Sequence, residues 1–511
     1  MKRISFSAIS AALCLSAFAT SIAFAQNSPT SFFDNESYYG PDCDETNYSG
    51  AYYTGDYTSA FKTYLGKTDE EIQEKLDQLW IHYFKGDNNS KVFYDQGDEA
   101  YIFDTGNDDV RSEGMSFGMM IAVQTNHKEE FDKLWKWAKN HMWHKGGSWD
   151  GYFAWRRGTS GTGGDDYSAP DGEMYFMMSL LFAANRWHDD QYMADAQYIL
   201  KMMWDNSQHS LFSPQHYVIT FQPQGVGNNY TDPAYDLPAF VDLFSRWSET
   251  NNDKWAKAAK ATRNHLYSAS NTTSGLFSDY SNYDGTPHSS EYYVDAEHYM
   301  RDAIRCAMNF GMDFYLFGAD SARQVEMAKR IIDFFEGQDY QYAHYKWNGD
   351  RLSEDSDPYT LGETGANAVA ALALKDMEGY EDIIKKNLQM AWDAKLMTGQ
   401  FRYYDGLVHY LAMLHLCGSF KIWKPAPEIK EKPIEGTEYN GQTFAKGDTI
   451  YVFESCQLYR TIFGSGTTGF TPRNPRTVEY KMLRDYDLKG CRVNGNKASR
   501  GAYYGKKVLA K

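Results

Sequence analysis

Helical periodicity recurs about twelve times between residues 68 and 417 with no strand–helix alternation between the repeats, and this succession limits the fold more than any other feature. The first stretch opens on a capping box, Thr68-Asp69-Glu70-Glu71, and runs to about Phe84. Others follow near 113–126, 129–143, 171–187, 191–205, 233–247, 253–268, 299–317, 320–336, 362–374, 379–396 and 404–417, separated by loops rich in Gly, Asn and Asp. Consecutive helical hairpins in this number predict a closed ring of helix pairs. Beyond it the character changes. Lys424-Pro425-Ala426-Pro427-Glu428 through Lys432-Pro433 reads as a linker, and Thr449-Ile450-Tyr451-Val452-Phe453 and Thr477-Val478-Glu479-Tyr480-Lys481 read as strands. The expected organisation is a helical domain over 26–423, a linker over 424–440 and a small β-rich module over 441–511.

The N-terminus predicts export. Lys2 and Arg3 precede an apolar run from Ile4 to Phe24 that ends in Ala23-Phe24-Ala25, the pattern of a secretory signal over 1–25 cleaved after Ala25. A membrane anchor is the alternative, but small residues dilute the run and no stop-transfer charges follow it. No other segment approaches the roughly 20 apolar residues of a spanning helix. A secreted protein, extracellular or at the cell surface and acting as a monomer, is expected. Past the signal remain Cys43, Cys306, Cys417, Cys456 and Cys491, an odd and sparse set that makes no disulfide framework, although Cys456 and Cys491 share the C-terminal segment and are a candidate pair. None has zinc-like spacing, so no catalytic metal and no cofactor is expected.

Charge narrows the partners. The chain carries −17; from Lys424 onward 16 basic and 9 acidic residues leave a balance of +7, hence −24 for residues 1–423. An acidic main body disfavours nucleic acid and anionic membranes and suits neutral glycans. Aromatics make up 16% of the chain, with 40 Tyr and 13 Trp. Most must build the core, yet flat rings also stack on sugars. Ser112-Glu113-Gly114-Met115-Ser116-Phe117-Gly118-Met119 and Ala169-Pro170-Asp171-Gly172-Glu173 each set an acidic side chain among glycines and apolar residues where a helix starts. A carboxyl so placed is half solvated at best and its proton affinity is tunable, which is what cleavage of a glycosidic bond asks of a carboxyl pair.

Six motifs make the resemblance specific. Ser112-Glu113-Gly114 with Phe117-Gly118-Met119, Ala169-Pro170-Asp171-Gly172-Glu173, Phe182-Ala183-Ala184-Asn185-Arg186-Trp187, Thr231-Asp232-Pro233-Ala234-Tyr235, Asp302-Ala303-Ile304-Arg305 and Arg402-Tyr403-Tyr404-Asp405-Gly406 stand in the order and spacing of glycoside hydrolase family 8. Residues from about 40 to 423 thus resemble that family. The resemblance implies an (α/α)6 barrel and inverting hydrolysis of β-1,4-linked glycans, with Glu113 as general acid, Asp302 as general base, Asp171 holding the sugar at the cleavage site and Tyr235 orienting the attacking water.

Each residue also has a reading of its own. Burial against Met115, Phe117 and Met119 would raise the Glu113 pKa, while a helix N-terminus pulls the other way. Arg305, three residues after Asp302 on one helical face, would keep Asp302 ionised; an ordinary surface ion pair is the plainer alternative. Asp171 opens a helix and reads equally as an N-cap. Tyr235 reads equally as a core ring. Trp149, Tyr152, Phe153 and Trp155 lie in a Gly-punctuated loop and are stacking candidates with Tyr403 and Tyr404, Trp155 foremost. Arg156 has no assigned place.

The 169–173 and 181–187 segments look like the xylan-active branch more than the cellulase branch, so the expected partner is β-1,4-xylan or xylo-oligosaccharides. Within that branch, enzymes releasing xylose from the reducing end carry a blocking His-Pro element; Tyr359-Thr360-Leu361-Gly362-Glu363-Thr364-Gly365-Ala366-Asn367 holds none, which predicts endo action. Reducing-end release and a cellulase remain the alternatives. Other classes fit less well: a non-catalytic glycan binder has no need of Glu113 and Asp302 together, and a lyase acting on uronates would be repelled by the acidic body. The basic tail, Tyr486–Val493 and Arg500–Leu509, loosely resembles C-terminal sorting domains of secreted enzymes, with adhesion to a cell surface and carbohydrate binding as other readings.

Overall fold

The structure, a computed structural model, describes residues 22–25, 49–291, 293–340, 343–356, 360–425, 429–431, 438–439, 442–443, 445–446, 449–454 and 457–463. Twelve long helices among them carry the fold: α1 (Asp69–Trp80), α2 (Ser112–Gln124), α3 (Lys128–His141), α4 (Pro170–Trp187), α5 (Asp190–Asp205), α6 (Pro238–Trp247), α7 (Asn252–Ala269), α8 (Ile304–Leu316), α9 (Ser321–Gly337), α10 (Thr360–Ala371), α11 (Glu381–Asp393) and α12 (Tyr404–Leu416). The capping box at α1 forms as expected: Glu71 N–H donates to the Thr68 hydroxyl at 3.1 Å and Thr68 N–H to the Glu71 carboxylate at 2.8 Å.

Odd and even helices differ in burial. The odd ones bury a single stripe, as α1 does with Ile72, Leu76, Leu79 and Trp80, and α3 with Phe131, Leu134, Trp135 and Ala138. The even ones are buried nearly all round; α10 and α12 bury every residue after their first. Six helices therefore form an inner ring and six an outer one. The inner ring closes on itself. Phe117 of α2 meets Tyr175 of α4 at 4.6 Å, and Tyr175 meets Phe240 of α6 at 5.0 Å. Helices α6, α8, α10 and α12 then pack in turn, and α12 packs against α2. This is the (α/α)6 barrel.

Loop length follows the same alternation. Outer-to-inner connections are long (81–111, 142–169, 206–237, 270–303, 338–359 and 394–403), whereas most inner-to-outer ones are short (125–127, 188–189, 248–251 and 317–320). The N-termini of the inner helices thus share one elaborated end. Two helices start five residues later than periodicity predicts, α6 at Pro238 instead of 233 and α8 at Ile304 instead of 299. Pro233–Tyr235 forms a separate short turn, and the chain before Ile304 is held by contacts described below.

Two compact units divide the described residues, one holding 49–184 and 189–422, the other 22–25, 185–188 and those from 423 onward. In the second, a four-stranded sheet runs in the order Ile22–Ala25, Thr449–Glu454, Gln457–Ile462, Ile429–Glu431. The first two pairings are antiparallel and the last is parallel. Thr449–Glu454 matches an expected strand; the other, at 477–481, lies outside the described residues, as do Cys43, Cys456 and Cys491. The segment read as a linker contributes a strand at Ile429–Glu431. Cleavage after Ala25 would take the edge strand Ile22–Ala25 with it. Cys306 and Cys417 are buried thiols. No helix among the described residues is long and apolar enough to cross a membrane.

Candidate active site

Helix N-termini carry partial positive charge, so a ring of them at one end of a barrel is a place where carboxylates can be gathered. One buried guanidinium organises that gathering. Arg305, in the first turn of α8, reaches Asp171 Oδ2 at 2.8 Å and Glu113 Oε2 at 3.3 Å through one nitrogen. Its other terminal nitrogen reaches Asp302 Oδ1 at 3.3 Å and Asp232 Oδ2 at 3.7 Å. Three of these carboxyls belong to the expected set and the fourth was not foreseen. Access separates them: the Asp302 side chain keeps 30% of its exposure and Glu113 17%, while Asp171 and Arg305 keep 4% and Asp232 none. Glu113 and Asp302 are the two most open to a ligand.

Glu113 lies in the first turn of α2 with Tyr403, which donates to Oε1 at 3.1 Å. The glycine after it makes that contact possible, because a Cβ on Gly114 would stand 2.3 Å from the Tyr403 ring. Gly172 does the same for the second motif: a Cβ there would stand 2.6 Å from the Ser112 hydroxyl oxygen, so α4 could not approach the start of α2. Met115, Phe117 and Met119 are buried in the core. Burial is the largest influence on the Glu113 carboxyl and pushes its pKa up to about 8; Arg305 opposes, and Asp171 and Asp302 add to the rise.

Asp171 is not the N-cap of α4. The helix begins at Pro170, and the Asp171 side chain accepts from its own neighbour's N–H, Gly172, at 2.9 Å while pairing with Arg305. Burial raises its pKa, as it does for Asp232. Asp302 meets Arg305 as expected but stands before α8, not on its face. Arg301 instead lies over the Tyr293 ring at 5.2 Å.

The aromatic candidates divide. Arg305 lies 5.7 Å from the centroids of both Tyr235 and Tyr404, bringing these rings to the carboxyl cluster. Tyr404 donates to the Arg301 carbonyl at 3.0 Å. Tyr403 is 3% exposed, so it presents a hydroxyl to Glu113 rather than a face to a sugar. The Trp155 carbonyl accepts from Ser112 N–H at 2.9 Å, next to Glu113, and its half-buried ring lies under Arg111 and Arg156. Trp149 stacks on His209 at 3.6 Å. Tyr152 and Phe153 are fully buried, so the loop origin that made them stacking candidates misleads: Phe153 N–H donates to buried Glu173 at 3.0 Å, drawing this loop into the core.

Sequence reasoning missed Asp232 and Asp279. The first stands inside a quoted motif, where its Oδ1 accepts from Ala234 N–H at 2.7 Å and holds the turn that carries Tyr235. The second, in Ser278-Asp279-Tyr280, has no distinguishing neighbour in the sequence. A Ser281–His265–Asp236 trio also has the order of a nucleophilic triad, with His265 Nδ1 2.5 Å from Asp236 and Nε2 3.1 Å from Ser281. All three are sealed from solvent, and Nε2 also faces the Asn282 carbonyl at 3.1 Å, so the trio is a structural tie. Among the described residues no group of three or more His, Cys, Asp or Glu is placed to hold a metal ion.

Known proteins resemble this chain. The model of glycosyl hydrolases family 8 matches residues 93–411. A reducing-end xylose-releasing exo-oligoxylanase, Rex8A of Paenibacillus barcinonensis, is 37% identical over 73% of this chain and 98% of its own length. A reducing end xylose-releasing exo-oligoxylanase of Halalkalibacterium halodurans is 36% identical over 75% and 98%. The solved structure of a Rex8A mutant complexed with an arabinofuranosyl-xylotetraose superposes with a TM-score of 0.70 at 36% identity, covering 74% of this chain and all of that one.

Proposed function

The chain belongs to glycosyl hydrolase family 8, and from that premise we propose that it hydrolyses β-1,4-xylosidic bonds in xylo-oligosaccharides with inversion at the anomeric carbon. The observation that carries this reading is the pair of reachable carboxyls on one guanidinium. Glu113 and Asp302 stand 3.3 Å from different nitrogens of Arg305, one kept protonated by burial and the other open to solvent.

Glu113 donates its proton to the glycosidic oxygen as the bond to the anomeric carbon breaks. Asp302 takes a proton from a water that attacks the same carbon from the opposite face. Arg305 stabilises Asp302 as an anion before the step. As Glu113 loses its proton, the guanidinium stabilises the new carboxylate too, and Tyr403 already donates to it. Asp171 holds the sugar at the cleavage site, and Tyr235 orients the water. Trp155 supplies a ring beside Glu113.

Full-length similarity to two exo-oligoxylanases supports release of xylose from the reducing end. Endo action is the second reading, favoured by the missing His-Pro in 359–367. A time-resolved product profile on xylan, xylo-oligosaccharides and a soluble cellulose decides between them. Xylose plus an oligomer one unit shorter, with polymer untouched, is the expected result. A ladder of oligomers from xylan establishes endo action, cleavage of cellulose alone overturns the substrate, and no release from any overturns the hydrolase. Asp302→Ala is expected to abolish turnover and keep xylo-oligosaccharide binding. Export through the 1–25 leader is part of the proposal; secreted protein should begin at Gln26.

A further inference from the structure

Asp302 stands on a stretch of chain that is not helical, so something other than α8 must fix where its carboxylate points. The residue before Ile304 at the helix start is Ala303, which has no side chain to cap α8. The N–H groups of the chain leading into α8 are met from a distance. Asp279, fully buried in the 270–303 connection, accepts through Oδ1 from Met300 N–H at 3.2 Å, Arg301 N–H at 3.2 Å and Ala303 N–H at 3.0 Å. Its Oδ2 accepts from Arg301 N–H at 3.2 Å and from the Tyr293 hydroxyl at 3.1 Å. The Asp279 backbone is tied to the same segment, its N–H donating to the His298 carbonyl at 2.9 Å. On the other side, Tyr404 holds the Arg301 carbonyl.

We propose that Asp279 is the positioning residue of the reaction: its carboxylate grips the backbone on both sides of Asp302 and sets the direction of the base. The proposal rests on Asp302 being that base. Bonds to charged acceptors are worth about twice neutral ones, and a shift of about 1 Å in a reacting group costs on the order of a hundredfold in rate, so a clamp on this segment controls turnover and not merely stability. It also explains the cost of burying another carboxyl here. Burial first, then the Asp302 charge, pushes the Asp279 pKa up to about 7, and the Ala303 and Arg301 N–H donors and Tyr293 pull against that rise.

The test is Asp279→Asn. The amide keeps one oxygen for Met300, Arg301 and Ala303 but turns an NH2 group towards Arg301 N–H, where the second oxygen accepted. The other charged groups facing Asp302 are Arg305 of α8, Glu113 of α2, Asp171 of α4 and Asp232 before α6, with the Tyr235, Tyr280, Tyr293 and Tyr404 hydroxyls, and the substitution leaves all of them in place. On a xylo-oligosaccharide substrate kcat should fall about 10- to 100-fold with KM nearly constant. Turnover within about threefold of the native chain overturns the proposal, and so does a lower kcat accompanied by a comparable rise in KM, the mark of general damage to the site. Asp302→Ala run alongside separates the two claims: if that variant keeps its turnover, the base assignment fails whatever Asp279 does. Should Asp279→Asn fail to fold, amide exchange in the native chain decides. Slow exchange at Arg301 and Ala303 supports the clamp, and rapid exchange there overturns it.

Discussion

At Glu113 two electrostatic effects pull in opposite directions. The α2 N-terminus and Arg305 favour the anion, while removal from water favours the acid, and burial prevails with a pKa of about 8. A proton donor in that state loses its proton as pH rises through about 8, so the alkaline limb of kcat/KM should fall there. Glu113→Gln should reduce turnover on unactivated oligosaccharides by about 10²–10⁴ and far less on aryl glycosides, whose leaving group needs no proton; near-native turnover on both contradicts the assignment. Glu173 shows the same physics without catalytic exposure. Burial pushes its pKa from 4.5 to about 8, with Phe153 N–H donating to it in opposition. A pKa raised by folding means that the stabilisation is complete below about 4.5 and is lost as pH rises through about 8. Glu173→Gln keeps the acceptor and removes the ionisation. Its Tm should match the native chain at pH 4 and exceed it at pH 9.

The helices themselves were legible in the sequence, and the approaches to them were not. Periodicity marks a helix wherever one stripe must meet a core, so α1, α3 and α5 through their Leu, Ile and Trp spacing were found close to their observed ends. It failed at α6 and α8, where Tyr235 and Asp302 precede the helix in chain held by Asp232 and Asp279. Side-chain to backbone bonds of this kind leave no periodic trace, and they occur where the site needs a side chain that a helix would misdirect. The Gly of each motif was visible as a letter, but its purpose is a neighbour. Gly114→Ala puts a methyl 2.3 Å from the Tyr403 ring, which must move off Glu113. The expected outcome is a folded barrel with kcat/KM lowered about tenfold or more and an alkaline limb shifted from its native position. An unchanged pH profile would show that Tyr403 does not act on the acid.

Across the whole molecule the alternation of buried and striped helices closes a ring, and the long connections collect at the end where the inner helices begin. Helix count and motif order revealed that ring, whereas Asp279 needed the folded chain to bring it beside residues 300–303. Arg305, Glu113, Asp171, Asp232, Asp279 and Asp302 all belong to one compact unit, residues 49–184 and 189–422. A chain ending at Ile422 should therefore keep the kcat/KM of the full-length protein on xylotriose; a large loss would assign the C-terminal module a part in hydrolysis. The central claim is that Glu113 and Asp302 act on opposite faces of one β-xylosidic bond in a single displacement. Time-resolved proton NMR of xylotriose hydrolysis tests it most directly: the α-anomer of the newly formed reducing end should appear first, ahead of mutarotation, and first appearance of the β-anomer would contradict it.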